Sequence, residues 1–452
     1  MSLRGRFLGI LCLAFMTGQT SDVHAATDYR EQVFSRTLDN GLEMVLLPDH
    51  KAPVAVVQIW YRVGSRNEIP GKTGLSHMLE HMMFKGTEQF GPEEYSRTIA
   101  RQGGNENAFT SADATTYFAK LASDRLDILL ELEADRMRGL SLRADQFEPE
   151  RQVVAEERRM RVEDDPISYL RESLTATAFA THPYRQPVIG WAQDIENWTL
   201  RDLQEHYDQF YQPGNAVIVA VGDFEPEVLA GRIEHFFGDI PAGPAVPEMI
   251  IREQPARGPR RIEVTRPAQL PFVMLSYPAP NLRNPDYAAL EILNVILSAG
   301  KSSRLRDSLV REQQIALYAG ASYNPTSVDD RTFTLVAQAQ PERTAQEIES
   351  ALVAEVERIQ TTPPTPEEMA RARRQIESSF VFSQDSVFSR AMLLGRYAMA
   401  DEWSGIDDYL PAIAAVTPAD VQNAARKWLD PAKRTTGILH PEVTEAAAGS
   451  AP

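Results

Sequence analysis

The chain has 452 residues, 43% of them hydrophobic and 24% charged, a balance that excludes a disordered chain and provides material for about two to four domains of common size. A formal net charge of -17 with a sequence pI near 5.0 argues against nucleic acid as a partner, since binding it demands basic patches. The only cysteine is Cys12.

Residues 1–25, MSLRGRFLGILCLAFMTGQTSDVHA, carry Arg4 and Arg6, an apolar stretch from Phe7 to Met16, and the small-x-small ending Val23-His24-Ala25. This predicts a secretory signal peptide cleaved after Ala25. Its apolar core is too short to span a bilayer, and no later segment is long and apolar enough. Leu11 before Cys12, where a small residue is needed, argues against a lipid anchor. The expectation is an exported, periplasmic protein that leaves the membrane once the signal is removed. Losing Cys12 with the signal removes disulfides and thiolate metal sites, so any metal must be held by nitrogen and oxygen.

In FSRTLDNGLEMVLLPDHKAPVAVVQIWYRV, residues 34–63, an Asp-Asn-Gly turn between β-rich runs predicts a hairpin. Helical periodicity follows in GLSHMLEHMMFKG, from Gly74 to Phe84. GGNENAFTSADATTYFAKL, residues 103–121, opens on a glycine pair and continues with β-branched and aromatic residues, as a strand does. FEPERQVVAEERRMRVEDDP places acidic residues on a further helix. TLRDLQEHYDQFY then predicts a helix broken at Pro213-Gly214, and GNAVIVAVGDF a buried strand. Residues 241–261, rich in Pro and Gly and without periodicity, predict an interdomain linker.

After the linker the pattern restarts. DLQEHYDQFYQPGNAVIVAVG aligns without gaps with DVQNAARKWLDPAKRTTGILH from Asp420, and GLSHMLEHMMFKG with AALEILNVILSAG, residues 288–300. The predicted fold is α+β: two duplicated domains, 26–240 and 262–441, each a mostly antiparallel sheet covered by helices on one face, followed by a disordered tail over 442–452. Glu291, Asn294 and Val295 stand in the second copy where His77, Glu80 and His81 stand in the first. The fold does not need the polar triplet, so a function can claim it.

On a helix, His77 and His81 lie four apart on one face with Glu80 beside them. Two imidazoles at this spacing can grip one zinc ion, which in a catalytic site takes three protein ligands, and Glu80 could take a proton from water. The pattern is H-x-x-E-H, the reversed zinc-protease motif. The plainer alternative is a pair of histidines hydrogen-bonded within a packing layer. For a third ligand, Glu150 and Glu157 share a helix face and Glu156 points about 100° away from Glu157; one can ligate while another orients it. Arg158, Arg159 and Arg161 could equally pair such an acidic face to solvent.

These motifs, together with LDNGLEMVL, HPYRQPVIGW and WLDP, resemble the pitrilysin, insulin-degrading and mitochondrial-processing-peptidase family of zinc metallopeptidases, in its compact two-domain form. The resemblance covers nearly all of the mature chain. It implies one Zn2+ per chain on His77, His81 and Glu157, with Glu150 as the supporting carboxylate, Glu156 as the alternative ligand and Glu80 as the catalytic base. It also implies that Asn107, Ala108 and Phe109 line a peptide substrate added to an edge strand. In SRLRDSLVREQQIALYAG, it implies that Arg311 and Tyr318 close over the substrate and steady the oxyanion. Val310 before Arg311 and IALY around Tyr318 depart from the common pattern and leave that geometry open.

The implied activity is a zinc endopeptidase cutting unfolded peptides in an enclosed chamber. Long relatives form the chamber from two such halves, so a homodimer, or a heterodimer with a related chain, is expected, with Arg311 and Tyr318 serving the partner's zinc. The rival is a non-catalytic structural or substrate-holding subunit.

Overall fold

The structure is a computed structural model that describes residues 28–442. The predicted signal peptide and nearly all of the predicted tail lie outside the described residues.

The first sheet contains β1 (Phe34–Thr37), β2 (Glu43–Pro48), β3 (Val54–Tyr61), β4 (Asn105–Thr110), β5 (Thr115–Ala122) and β6 (Ala216–Gly222), in the order β1-β2-β6-β3-β5-β4. The second contains β7 (Arg260–Arg266), β8 (Phe272–Ala279), β9 (Ala316–Ser322), β10 (Arg331–Ala339) and β11 (Thr435–Pro441), in the order β7-β11-β8-β10-β9. Omitting β1, the two orders correspond strand for strand. Each sheet has a single parallel pair, β2 with β6 and β7 with β11, and antiparallel pairing elsewhere. The duplication predicted from sequence is thus a repeated topology. Helix Leu75–Met82 follows β3 as helix Tyr287–Ser298 follows β8.

The linker ends two residues earlier than expected. Arg260 and Arg261 already pair with Thr435 and Thr436 in β7, because RRIEVTR alternates half-buried and exposed side chains in the period of a strand.

Strand alternation divides each sheet between two cores. On β2 and β3, Met44, Leu46, Val57, Ile59 and Tyr61 face a large cluster shared with Met78, Leu79, Leu129 and Leu203 from helices of the same half. Val45, Leu47, Val56 and Trp60 face the other way, where Ala391, Leu394 and Tyr397 of helix Val387–Ala400 cover them. In return, Leu170 and Leu174 of helix Pro166–Ala178 cover Phe272, Met274 and Leu439 of the second sheet. The expected helical layer lies on one face of each sheet, and a helix exchanged from the other half covers part of the opposite face. Each large apolar side chain buried this way contributes about 1.5–3 kcal/mol. Gly395 permits the first exchange, since a Cβ there would sit 2.2 Å from Cε2 of Trp60.

Polar contacts join the halves as well. Arg66 pairs with Asp329, Arg390 with Asp49, and Tyr184 Oη donates to Asp113 at 2.6 Å while accepting from the Asp329 amide at 3.0 Å. The buried Tyr29 donates its backbone N–H to Asp407 Oδ1 at 3.0 Å. β4 forms one border of the first sheet, paired with β5 alone, and helix Leu75–Met82 lies beside it.

Candidate metal centre

Helix Leu75–Met82 is fixed at its start by a glycine and a carboxylate. Gly74 has φ +89°, and a Cβ there would lie 2.5 Å from the Ile189 carbonyl and 2.6 Å from the Trp198 ring, so only glycine fits. Glu68 accepts the N–H groups of Gly74 at 2.6 Å and Ser76 at 2.7 Å, first-turn donors with no partner inside the helix. Trp198 Nε1 donates to the Thr73 carbonyl at 3.0 Å, bracing the same turn. Leu75, Met78, Leu79 and Met82 enter the core. The remaining flank carries His77, Glu80 and His81 into a cleft of about 1150 Å³.

Glu157 approaches from helix Ala144–Arg158. The buried Arg158 locks the end of that helix, donating twice to Glu172 at 2.9 and 2.8 Å and once to the Gly190 carbonyl at 2.7 Å. The chain continues as a π-helical turn over Arg159–Glu163, a form of helix often found at functional sites. Glu157 Oε2 lies 3.5 Å from His81 Nε2 and 3.8 Å from His77 Nε2, and its other oxygen forms an ion pair with Arg161 at 2.7 Å. Glu156 turns outward to an exposed pairing with Arg159. Of the two adjacent glutamates, Glu157 therefore borders the histidines.

The donor set fits a zinc ion. His77, His81 and Glu157 each offer a ligand atom within a 4.8 Å group, supplying two nitrogens and one oxygen. Bonds of about 2.0–2.1 Å in a tetrahedron separate ligand atoms by about 3.3 Å; the Glu157 oxygen, at 3.5 and 3.8 Å from the two imidazole nitrogens, comes nearest to that spacing, within a group that spreads to 4.8 Å. Burial, followed by the charge of His81, pulls the His77 pKa down to about 3, so its ring is the neutral form that ligates. His81 Nδ1 lies 2.8 Å from Glu150 Oε1, a contact that holds the proton on Nδ1 and leaves the Nε2 lone pair facing Glu157. The His81 bond, aided by Lys85 2.6 Å from the other oxygen, holds Glu150 at about 2 against its burial. Burial works against the charged form of His81, but Glu150, Glu157 and Glu80 together outweigh it and raise its pKa.

Glu80 is half-buried on the same flank. Burial raises its pKa, opposed by Thr110, whose Oγ1 donates to Glu80 Oε2 at 2.5 Å.

Asn107, Ala108 and Phe109 all border the cleft, but strand alternation divides them. Ala108 packs on the core beneath helix Leu75–Met82, whereas Phe109 stands edge-on to Trp60 at 5.5 Å beside the exchanged helix. Asn107 Oδ1 accepts the Ala108 amide at 2.8 Å.

Arg311 and Tyr318 are not among the residues lining this cleft. Arg311 is exposed and paired with Asp307 at 2.9 Å, and Tyr318 stands 55% exposed on β9, the border strand of the second sheet.

Lys85, Thr110 and Glu68 escaped the sequence reading. Lys85 follows His81 by four residues, a spacing that could have flagged it. Thr110 and Glu68 act through contacts that no local period reveals.

Residues 43–191 match the family model described as Insulinase (Peptidase family M16), and residues 197–376 match the Peptidase M16 inactive domain. The chain is 34% identical over 440 residues to the zinc protease PqqE of Helicobacter pylori, covering 96% of this chain and 98% of that protein. It is 25% identical over 403 residues to a probable mitochondrial-processing peptidase subunit beta of Arabidopsis thaliana, covering 87% of this chain and 75% of that protein. A solved protease structure from Helicobacter pylori superposes with a TM-score of 0.88 at 34% identity, covering 91% of this chain and all of that one. The second model's description agrees with helix Tyr287–Ser298, which presents Glu291, Asn294 and Val295 in place of the histidine motif. With a relative this similar along almost its whole length, the chain belongs to peptidase family M16.

Proposed function

We propose that this chain is a zinc-dependent endopeptidase acting on unfolded peptides. One observation carries the reading: His77, His81 and Glu157 converge beside the half-buried Glu80, in a cleft bordered by β4, which among the described residues has no strand on its outer side. Zinc, when bound, supplies Lewis acidity toward the scissile carbonyl and the attacking water. His77, His81 and Glu157 hold it, and Glu150 orients His81. Glu80 takes the proton from water as its oxygen adds to the carbonyl carbon, then passes that proton to the leaving amine as the C–N bond breaks.

The substrate lies along β4 and is held by backbone hydrogen bonds, a mode that reads extended conformation more than side-chain identity. Arg311 and Tyr318 belong to the second half and act on a partner's cleft, which makes a dimer, of this chain or with a related one, the working form. The name of the Arabidopsis relative, a peptidase subunit, is in keeping with such pairing. The signal-like composition of residues 1–25 supports work in the periplasm. Among the described residues no helix is long and apolar enough to cross a membrane.

The test is cleavage of a panel of unstructured peptides before and after chelation. Activity that disappears with the metal and returns with stoichiometric Zn2+ supports the reading. Peptides left intact by the zinc-loaded protein would favour the non-catalytic subunit.

A further inference from the structure

We propose that Thr110 is a positioning residue for Glu80, so that the strand offered to the peptide also sets the catalytic base. The inference rests on the proposed peptidase reading and deepens it. Thr110 is the last residue of β4 and pairs with Thr115 across the hairpin. Its Oγ1 donates to Glu80 Oε2 at 2.5 Å, bridging 30 positions of sequence and joining two elements of the cleft.

The bond does chemical work only in one direction. A hydroxyl donating to Oε2 is strongest when the carboxylate is ionised, the state able to accept a proton. It occupies one oxygen and leaves the other for water. It also removes a rotation: Glu80 is a long side chain on a helix flank, and a fixed donor from a neighbouring strand restricts it to one orientation. Among the described residues, β4 is held by β5 on one side only. A peptide paired on its other side would hold Thr110, and through it Glu80, more firmly. Binding energy spent far from the reacting atoms would then raise kcat.

The test compares Thr110→Val, Thr110→Ser and Glu80→Gln with the wild type. For each protein, kcat and KM are measured on one unstructured peptide, along with zinc content and peptide binding to the zinc-free protein. Thr110→Val removes the hydroxyl at nearly constant volume, and kcat is expected to fall about 10–100-fold with KM changed less than about threefold. Zinc content and peptide binding should be unchanged, and Thr110→Ser should recover most of kcat. The proposal is overturned by an undiminished kcat in Thr110→Val, by Thr110→Ser as poor as Thr110→Val, or by loss of zinc or peptide binding in step with kcat. Full activity in Glu80→Gln would instead remove the base itself. An inactive Glu80→Gln beside a fully active Thr110→Val would overturn the Thr110 role alone.

Discussion

Glu150 Oε1 sits 2.8 Å from Nδ1 of His81, and Lys85 sits 2.6 Å from the other oxygen of the same carboxylate. Glu150 thereby fixes which ring nitrogen of His81 faces Glu157 without itself reaching the centre. Removing such an outer carboxylate usually weakens metal binding about 10–100-fold. Glu150→Ala should show a loss of this size in competition with a chromophoric chelator. An unchanged affinity would mean that packing alone orients the ring.

Chelation should leave the first half folded. Helix Leu75–Met82 is fixed by Glu68 at its first turn, by Trp198 against Thr73 and by four apolar side chains in the core, none of which depends on an ion. Far-ultraviolet dichroism of the zinc-free protein should match that of the loaded protein, while added zinc raises the melting temperature by mass action. Loss of helical signal on chelation would show that the metal builds the site.

The helix exchange predicts a sensitive position far from the metal. In Gly395→Ala the added methyl meets the buried Trp60 ring, where overpacking costs about 1–3 kcal/mol. A lowered melting temperature with unchanged zinc content is expected. A wild-type melt would mean that the helix can lift from the sheet.

Glu291 occupies the second-half position that corresponds to His77 and accepts from Tyr409 Oη at 3.2 Å. Burial pushes its carboxyl up to about 7, opposed by the Tyr409 bond. Between about 4.5 and 7 the folded chain keeps a proton that the unfolded chain has released, so this group's contribution to stability declines as pH rises through that window. Glu291→Gln removes the ionisation. Its stability relative to wild type should rise by about 1–3 kcal/mol between pH 5 and pH 8 in urea titrations. Parallel pH profiles for the two proteins would contradict this.

The shared-site dimer makes a quantitative prediction. Glu80→Gln and Arg311→Ala, each inactive or weakened alone, should recover about a quarter of wild-type activity after mixing, since half of random dimers are hybrids with one complete site each. Hybrids that form without recovering activity would return Arg311 to its own chain.

The sequence revealed what is periodic and local. His77 and His81 were legible from a four-residue spacing, and the duplication from two gap-free alignments, because helices and strands repeat their side-chain directions. Helix phase could not choose among Glu150, Glu156 and Glu157; resemblance chose Glu157, and the outward pairing of Glu156 with Arg159 gives the physical reason. The strand through Asn107, Ala108 and Phe109 is legible from its composition, and the alternation of a strand sets Ala108 on the face opposite Asn107 and Phe109. Thr110 and the exchanged helices depend on contacts between distant segments, which a single sequence does not encode in any period.

The central claim is that the residues around the metal perform hydrolysis rather than hold a structural ion. Zinc content and peptide cleavage measured on one preparation of Glu80→Gln test it most directly. The amide keeps the shape of the side chain but cannot accept the water's proton. One zinc per chain is expected, with cleavage reduced by at least about 100-fold. Wild-type cleavage by a zinc-loaded Glu80→Gln protein would contradict it.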